Sequence, residues 1–163
     1  MDAYTCIRTK RDTRAYQDRS IPEQSLRRIL QAGRMAGSAR NLQPCRFVIL
    51  RDASKKKELA ACGQFAQHMT WAPVAVAIVL PQDGREFDAG RCAQNMMLAA
   101  WAEGISSCPI TMHDNACALR VLGIPQGYRV SIVLAFGYPP PSGPPPKGTP
   151  RIPLEELVHW GSW

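Results

Sequence analysis

Apolar residues recur along this chain at two spacings, and each spacing predicts a type of secondary structure. Positions three and four apart indicate helices, whereas short continuous runs of β-branched residues indicate strands. The helical spacing predicts helices at 2–9, 20–37, 53–62, 87–103 and 114–122. The apolar runs predict strands at 46–51, 74–80, 105–109 and 129–136. Ser20, Pro22 and Glu23 form a helix-start signature for the second helix.

Two of these segments indicate how the elements pack. The run Val74–Leu80 contains no polar residue, which is typical of a strand buried on both faces. The helix at 87–103 has so few polar positions that we expect it at the centre of the fold or in a subunit interface. The order of elements predicts the α+β class, with a small mixed sheet flanked by helices in one domain spanning 1–163.

The C-terminal region differs in composition from the rest. Seven prolines between 139 and 150 exclude a helix or an inner strand there and indicate an extended, semi-rigid chain. We expect 139–163 to form an arm that crosses to a partner subunit. Trp160 and Trp163 lie near the end of this arm, and we expect them to dock on that neighbour. Together with the apolar helix, the arm predicts an intertwined homodimer.

Composition narrows the choice of function class. The 163 residues carry a net charge of +7, which suits phosphorylated ligands or nucleic acid. The densest cationic run, Lys55–Lys57, reads as a solvated helix face. The six cysteines include no Cys-x-x-Cys pair, and no apolar signal region opens the chain. We therefore expect reduced, mostly buried thiols in a cytoplasmic protein, with no membrane-spanning segment and no metal site.

Two polar segments are the candidates for chemistry. Ser38, Asn41 and Gln43 follow a predicted helix and precede a predicted strand, and their amides suit a planar ring with alternating donors and acceptors. A polar loop with an Asx-type turn explains the same residues without a ligand. Lys10 and the two arginines Arg11 and Arg14 could surround a phosphate.

Together these segments resemble the FMN-dependent nitroreductase family. The family carries a basic segment near its N-terminus and a Pro-Ser-x-x-Asn-x-Gln-Pro segment, which this chain matches from Ser38 to Pro44. The stretch Ser107-Cys108-Pro109-Ile110 and the Arg-x-Pro-Leu segment at Arg151 also resemble the family. The resemblance implies a nitroreductase-like fold with FMN at a subunit interface. It implies Lys10, Arg11, Arg14 and Arg151 at the phosphate, Ser38, Asn41 and Gln43 along the ribityl chain and ring, and Pro109, Ile110 and Thr111 near flavin N5. Ala39 and Lys147 are further cofactor-binding residues that it implies.

The implied activity is the transfer of hydride from NAD(P)H through FMN to an electron-poor acceptor such as a nitroaromatic or a quinone. No protein side chain is assigned a catalytic role, because the cofactor carries the reaction. Asp12 stands where the family usually has Ser, and we expect it to pair with Arg14 or to turn outward. Two alternatives remain: a catalytically silent flavin- or nucleotide-binding module, and a basic nucleic-acid-binding domain.

Overall fold

A computed structural model describes residues 1–143 and 148–163 of the chain. Its α-helices within these residues are α1 (Ala3–Thr9), α2 (Glu23–Arg34), α3 (Ala53–Ala60), α4 (Glu86–Ala102), α5 (Asn115–Leu122) and α6 (Leu154–Leu157). Its strands are β1 (Arg46–Leu50), β2 (Val74–Pro81), β3 (Ser106–Ile110) and β4 (Tyr128–Gly137). The predicted order of helices and strands is confirmed.

The strands form one sheet in the order β1-β2-β4-β3, so β1 and β3 are its two edges. The α+β fold class is confirmed, but the prediction of a mixed sheet needs a correction. All three strand pairs are antiparallel, and the parallel pairing in the described residues is an isolated bridge between Asp12 and Ser107. Apolar runs predict strands but not their directions, because helix-containing connections can return the chain in either direction.

Each face of the sheet carries its own hydrophobic core. Val76, Ile78 and Leu134 point toward α2 and α4, where they pack with Ile29 and Met96. Alternate residues of the same strands point to the other face, toward α3 and α5. The prediction that β2 is buried on both faces is confirmed, since every residue from Val74 to Leu80 is buried.

Three local predictions are wrong. The first is the start of helix α2. The helix begins at Glu23 with Pro22 as its N-cap, because the extended Pro22 backbone (ψ 143°) keeps Ser20 out of the capping position.

The second is the solvated face expected for Lys55–Lys57. Lys56 is buried, and its Nζ donates to the Ala72 carbonyl, because α3 packs against the 3₁₀ turn Gln67–Trp71. This burial lowers the pKa of Lys56.

The third error concerns cysteine. Cys62 and Cys117 form a disulfide, with their Cα atoms 5.6 Å apart, whereas Cys6, Cys45, Cys92 and Cys108 are free thiols. The two bonded residues are 55 positions apart in sequence, and the fold brings them together by packing α3 against α5. Sequence spacing contains no information about such a pairing.

Most of what the sequence predicts for the C-terminal region stays a prediction. Residues 148–163 contain the short α6 and leave Trp160 and Trp163 exposed. Lys147 lies outside the described residues, and the proposed crossing of the arm to a partner is untested. In the described part of the chain, no helix has the length and apolar character needed to cross a membrane.

Two helical glycines offer a matched test of the α2–α4 contact. A Cβ added at Gly33 would lie 2.3 Å from Cε and 2.9 Å from Cγ of Met96, whereas a Cβ at Gly90 would meet nothing within 4 Å. We expect Gly90→Ala to raise the free energy of unfolding by about 0.5–1 kcal/mol, as is usual for glycine in a helix. We expect Gly33→Ala to lower it by about 1–3 kcal/mol through overpacking. Urea unfolding of both variants measures the difference, and equal effects would contradict the close packing of α2 on α4.

Candidate active site

The segment 37–47 holds an unusual backbone. Arg40, Asn41 and Gln43 have φ angles of 50°, 54° and 49°, in the left-handed region that L-residues rarely adopt. The Ser38 hydroxyl accepts a hydrogen bond from the Gln43 N–H at 2.8 Å, and the Asn41 N–H donates to the Ser38 carbonyl at 3.0 Å. The loop is thus braced by Ser38 while the Asn41 and Gln43 side chains stay exposed. Backbone strain of this kind concentrates at functional sites.

In the basic segment, the cations face different partners. Lys10 pairs with Asp12, and its Nζ also lies 3.4 Å from the Met97 sulfur on α4. Of the two alternatives predicted for Asp12, pairing with Arg14 is wrong, because its carboxylate pairs with Lys10, whereas its side chain is 46% exposed, as the outward-turning alternative expects. The Arg11 guanidinium donates to the carbonyls of Arg8 (3.2 Å) and Lys10 (2.8 Å), which turns it back onto its own backbone.

The segment is fixed to the edge strand β3. The Thr13 N–H donates to the Ser107 carbonyl at 3.0 Å, beside the Asp12–Ser107 bridge. Arg14 follows immediately and is exposed. The structure therefore places Lys10 and Arg14 beside β3, whose end carries the exposed Pro109 and Thr111 with the buried Ile110 between them. These predicted site residues share one region.

Several buried polar groups in the same region lack a partner. Within the described residues, buried side-chain atoms without a hydrogen bond are Thr13 Oγ1, Tyr16 OH, His68 Nε2, Ser106 Oγ and Ser107 Oγ. Thr13 and Ser107 are joined by their backbones, and Tyr16 packs against Gly137, the residue paired with Ser106. Because buried polar groups are normally satisfied, such a concentration indicates a site that binds water or a polar ligand.

Two titratable groups near Arg14 are also perturbed. Burial raises the pKa of Cys108, so the thiol stays protonated. Burial, reinforced by the positive charge of Arg14, lowers the pKa of His68 and keeps its imidazole neutral. Sequence reasoning missed His68, which has neither metal-type spacing nor a motif around it. Its position next to Arg14 depends on how the 3₁₀ turn packs.

One chain does not bring the two candidate segments together. The amide loop leads into β1, and the basic segment lies beyond β3 at the opposite edge, four strand spacings or about 19 Å away. The register adds to this separation. Arg46 aligns through Val79 with Val130, whereas Ser107 aligns with Phe136, about 20 Å farther along β4. Within one chain, Ser38, Ala39, Asn41 and Gln43 therefore lie far from Arg14, both across the sheet and along it.

A cavity of about 180 Å³ lies beside the amide loop, between α2, β1 and α4. Gly37, Ser38 and Gln43 border it, but Lys10, Arg11 and Arg14 do not. It is therefore not the predicted phosphate site. The described residues contain no group of three or more His, Cys, Asp or Glu side chains that could hold a metal ion.

Comparison with known proteins decides the family. The model of the nitroreductase family matches residues 7–78 and 66–138. The chain belongs to the nitroreductase family. It is 33% identical over 144 residues to a protein of Archaeoglobus fulgidus, with 82% of this chain and 83% of the relative covered. It is 30% identical to an NADH dehydrogenase of Thermus thermophilus, with 98% and 96% covered. The family resemblance stated from the sequence motifs is confirmed.

Solved structures of other proteins agree with the fold. A Desulfovibrio desulfuricans protein solved in complex with FMN is 28% identical, with a TM-score of 0.87 and 100% and 99% of the two chains covered. The NADPH:FMN oxidoreductase of Vibrio harveyi, solved with NAD⁺, has a TM-score of 0.88 at 24% identity, with 98% of this chain and 77% of that chain covered. This second likeness concerns the fold alone.

Two substitutions at Gln43 separate the effect of backbone strain from the effect of the side-chain amide. We expect Gln43→Gly to raise the free energy of unfolding by about 1 kcal/mol relative to Gln43→Ala, because only glycine adopts φ 49° without a Cβ conflict. Both variants lack the amide, so they differ mainly in backbone freedom. Thermal and urea unfolding of the ligand-free proteins measure the difference. If Gln43→Gly is no more stable than Gln43→Ala, the loop is not strained in solution.

Proposed function

We propose that the protein is an FMN-dependent oxidoreductase that takes hydride from NAD(P)H and reduces an electron-poor acceptor such as a nitroaromatic or a quinone. The observation that carries the proposal is the exposed Arg14 beside β3, surrounded by buried polar groups without partners. An organic phosphate with a polar chain satisfies both features. Both implied ligands, FMN and a nicotinamide nucleotide, act in the cytoplasm, which we propose as the location.

The described residues fit FMN, with different contributions from each. Arg14 is the main phosphate ligand, because Arg11 is turned onto backbone carbonyls and Lys10 is paired with Asp12. The side chains of Thr13 and Ser107 offer hydroxyls that have no protein partner. Thr111, exposed at the end of β3, would present its backbone N–H toward the ring, next to Pro109 and Ile110. Lys147 and Arg151 would add charge from the arm.

A homodimer would complete this site. The amide loop and the basic segment lie at opposite edges of one chain's sheet, so the loop facing a given Arg14 must come from a second copy. In a two-fold dimer each chain would lend its loop to its partner and form two equivalent sites. The Pro-rich arm would cross the same seam. We propose that Ser38, Ala39, Asn41 and Gln43 contact the flavin bound by the partner subunit.

The protein's own residues bind and orient rather than transfer protons. Bound FMN supplies a ring that accepts hydride from a reduced nicotinamide and passes electrons to an acceptor. The braced Asn41 and Gln43 amides would hold the ring edge, since each offers both a donor and an acceptor. Neutral His68 beside Arg14 leaves the positive charge of the guanidinium available to the phosphate.

The silent flavin-binding module remains a second candidate because of Asp12. Its carboxylate lies at the phosphate region and neutralises Lys10, which reduces the charge available to the ligand. A protein that holds FMN but is not reduced by NADH or NADPH would fit this alternative. A protein without flavin that binds DNA with a steep salt dependence would instead fit the nucleic-acid-binding domain.

Comparison of FMN with riboflavin tests the phosphate ligand. We expect the purified protein to be yellow, to release FMN on denaturation and to be bleached by NADH or NADPH. Arg14→Ala should weaken FMN binding by roughly tenfold or more, because a charge-assisted hydrogen bond contributes about 1.5–3 kcal/mol. Riboflavin binding should change little, since riboflavin lacks the phosphate. Arg27→Ala, which removes an equal charge from the exposed face of α2, is the control. Equal losses for both flavins would contradict the role of Arg14.

Mixing two defective variants tests whether two copies share each site. Arg14→Ala and Asn41→Ala should each weaken FMN binding in a homodimer. After unfolding and refolding together, about a quarter of the sites should be intact, because one site of each mixed dimer receives both wild-type residues. Flavin fluorescence quenching and turnover with NADH or NADPH measure the recovery. A lack of recovery in dimers shown to be mixed would place both residues in one chain's site.

A further inference from the structure

Two free thiols meet at the cavity beside the amide loop. Cys45, at the end of the loop, and Cys92, on α4, both border this cavity of about 180 Å³. Cys45 is half-buried and packs against the core that contains the fully buried Cys92. The proposed function uses neither thiol, and the disulfide of this protein lies on the other face of the sheet, between α3 and α5.

The two thiols have different chemical characters. Cys45 is partly open to the cavity, whereas Cys92 is fully buried at the same cavity. The neighbouring Cys92 thiol lowers the pKa of Cys45, and the positive charge of Arg46 acts in the same direction, whereas burial and the carboxylates of Asp88 and Glu86 oppose it. The pKa of Cys92 is raised by the neighbouring Cys45 and by burial. The more accessible Cys45 is therefore the attacking thiol, and the buried Cys92 beside it is the resolving thiol.

We propose that Cys45 and Cys92 form a dithiol site that small hydroperoxides oxidise to a disulfide. The Cys45 sulfur attacks one peroxide oxygen, the O–O bond breaks, and the other oxygen leaves as water after protonation. This leaves a sulfenic acid on Cys45. The Cys92 sulfur then attacks the Cys45 sulfur, the S–O bond breaks, and a second water leaves with the Cys92 proton. Each chain loses two hydrogens, and one hydrogen peroxide is reduced to two waters.

The surroundings of the pair favour this assignment over the other thiols. Cys6 and Cys108 are buried and free, and neither borders the cavity. Burial raises the pKa of Cys108, which makes that thiol a poor nucleophile. The cavity offers a small peroxide a place to enter next to Cys45. A larger oxidant would not fit in about 180 Å³.

The new bond would tie the amide loop to α4. Cys45 lies two residues after Gln43, whose N–H is held by Ser38. A covalent link from Cys45 to Cys92 would restrict the end of this loop, and we expect it to weaken FMN binding several-fold. This consequence rests on the proposed function, whereas formation of the link does not.

Peptide mapping tests the dithiol without any flavin. The full-length protein is treated with hydrogen peroxide, alkylated, and cut with trypsin and chymotrypsin under non-reducing conditions. Trypsin releases Cys45 in the peptide 41–46, and chymotryptic cleavage after Trp101 separates Cys92 from Cys108. We expect a cross-link between the Cys45 and Cys92 peptides that dithiothreitol reverses. Cys6→Ser should still form it. Cys45→Ser and Cys92→Ala should not.

Two results would overturn the proposal. One is a Cys45 that stays open to alkylation after peroxide treatment, and the other is a Cys45 that gains two oxygens without forming the link. If Cys92→Ala fails to fold, Cys45→Ser at the half-buried position tests the same cross-link, which it should not form. FMN titration before and after oxidation is a separate readout. If cross-linked protein binds FMN with unchanged affinity, the expected weakening of FMN binding is contradicted. If the protein never binds FMN but forms the link, only the proposed function is contradicted.

Discussion

The burial of β2 on both faces is the constraint on which this structure depends. A strand without polar side chains must be covered on both sides, so α2 and α4 occupy one face of the sheet and α3 and α5 the other. With β2 and β4 at the centre, β1 and β3 become edges. The two polar segments are attached to these edges, and the hydrophobic core thereby determines how far apart they lie.

This separation explains the character of the candidate site. Each edge carries half of the groups that an organic phosphate with a planar ring needs: cations and hydroxyls beside β3, amides before β1. In the proposed homodimer each ligand molecule would contact both copies, so ligand binding would be coupled to subunit association. The affinity of the dimer and the affinity for the ligand would then depend on each other.

Local patterns in the sequence predicted most of the fold. The apolar run at 74–80 and the spacing in α4 depend on residues close in sequence, and the motif around Asn41 identified the family. What failed depends on contacts between distant segments. The strand directions, the Cys62–Cys117 bond and the burial of Lys56 all follow from which elements pack together. His68 was missed for the same reason, since only the folded chain places it beside Arg14.

The left-handed backbone at Arg40, Asn41 and Gln43 has a further consequence for recognition. A flexible loop loses conformational entropy when it closes on a ligand, and that loss subtracts from affinity. Here the unfavourable geometry is already present in the folded chain, held by the Ser38 hydroxyl. The loop is thus preorganised, and ligand binding there should proceed with little change in backbone order.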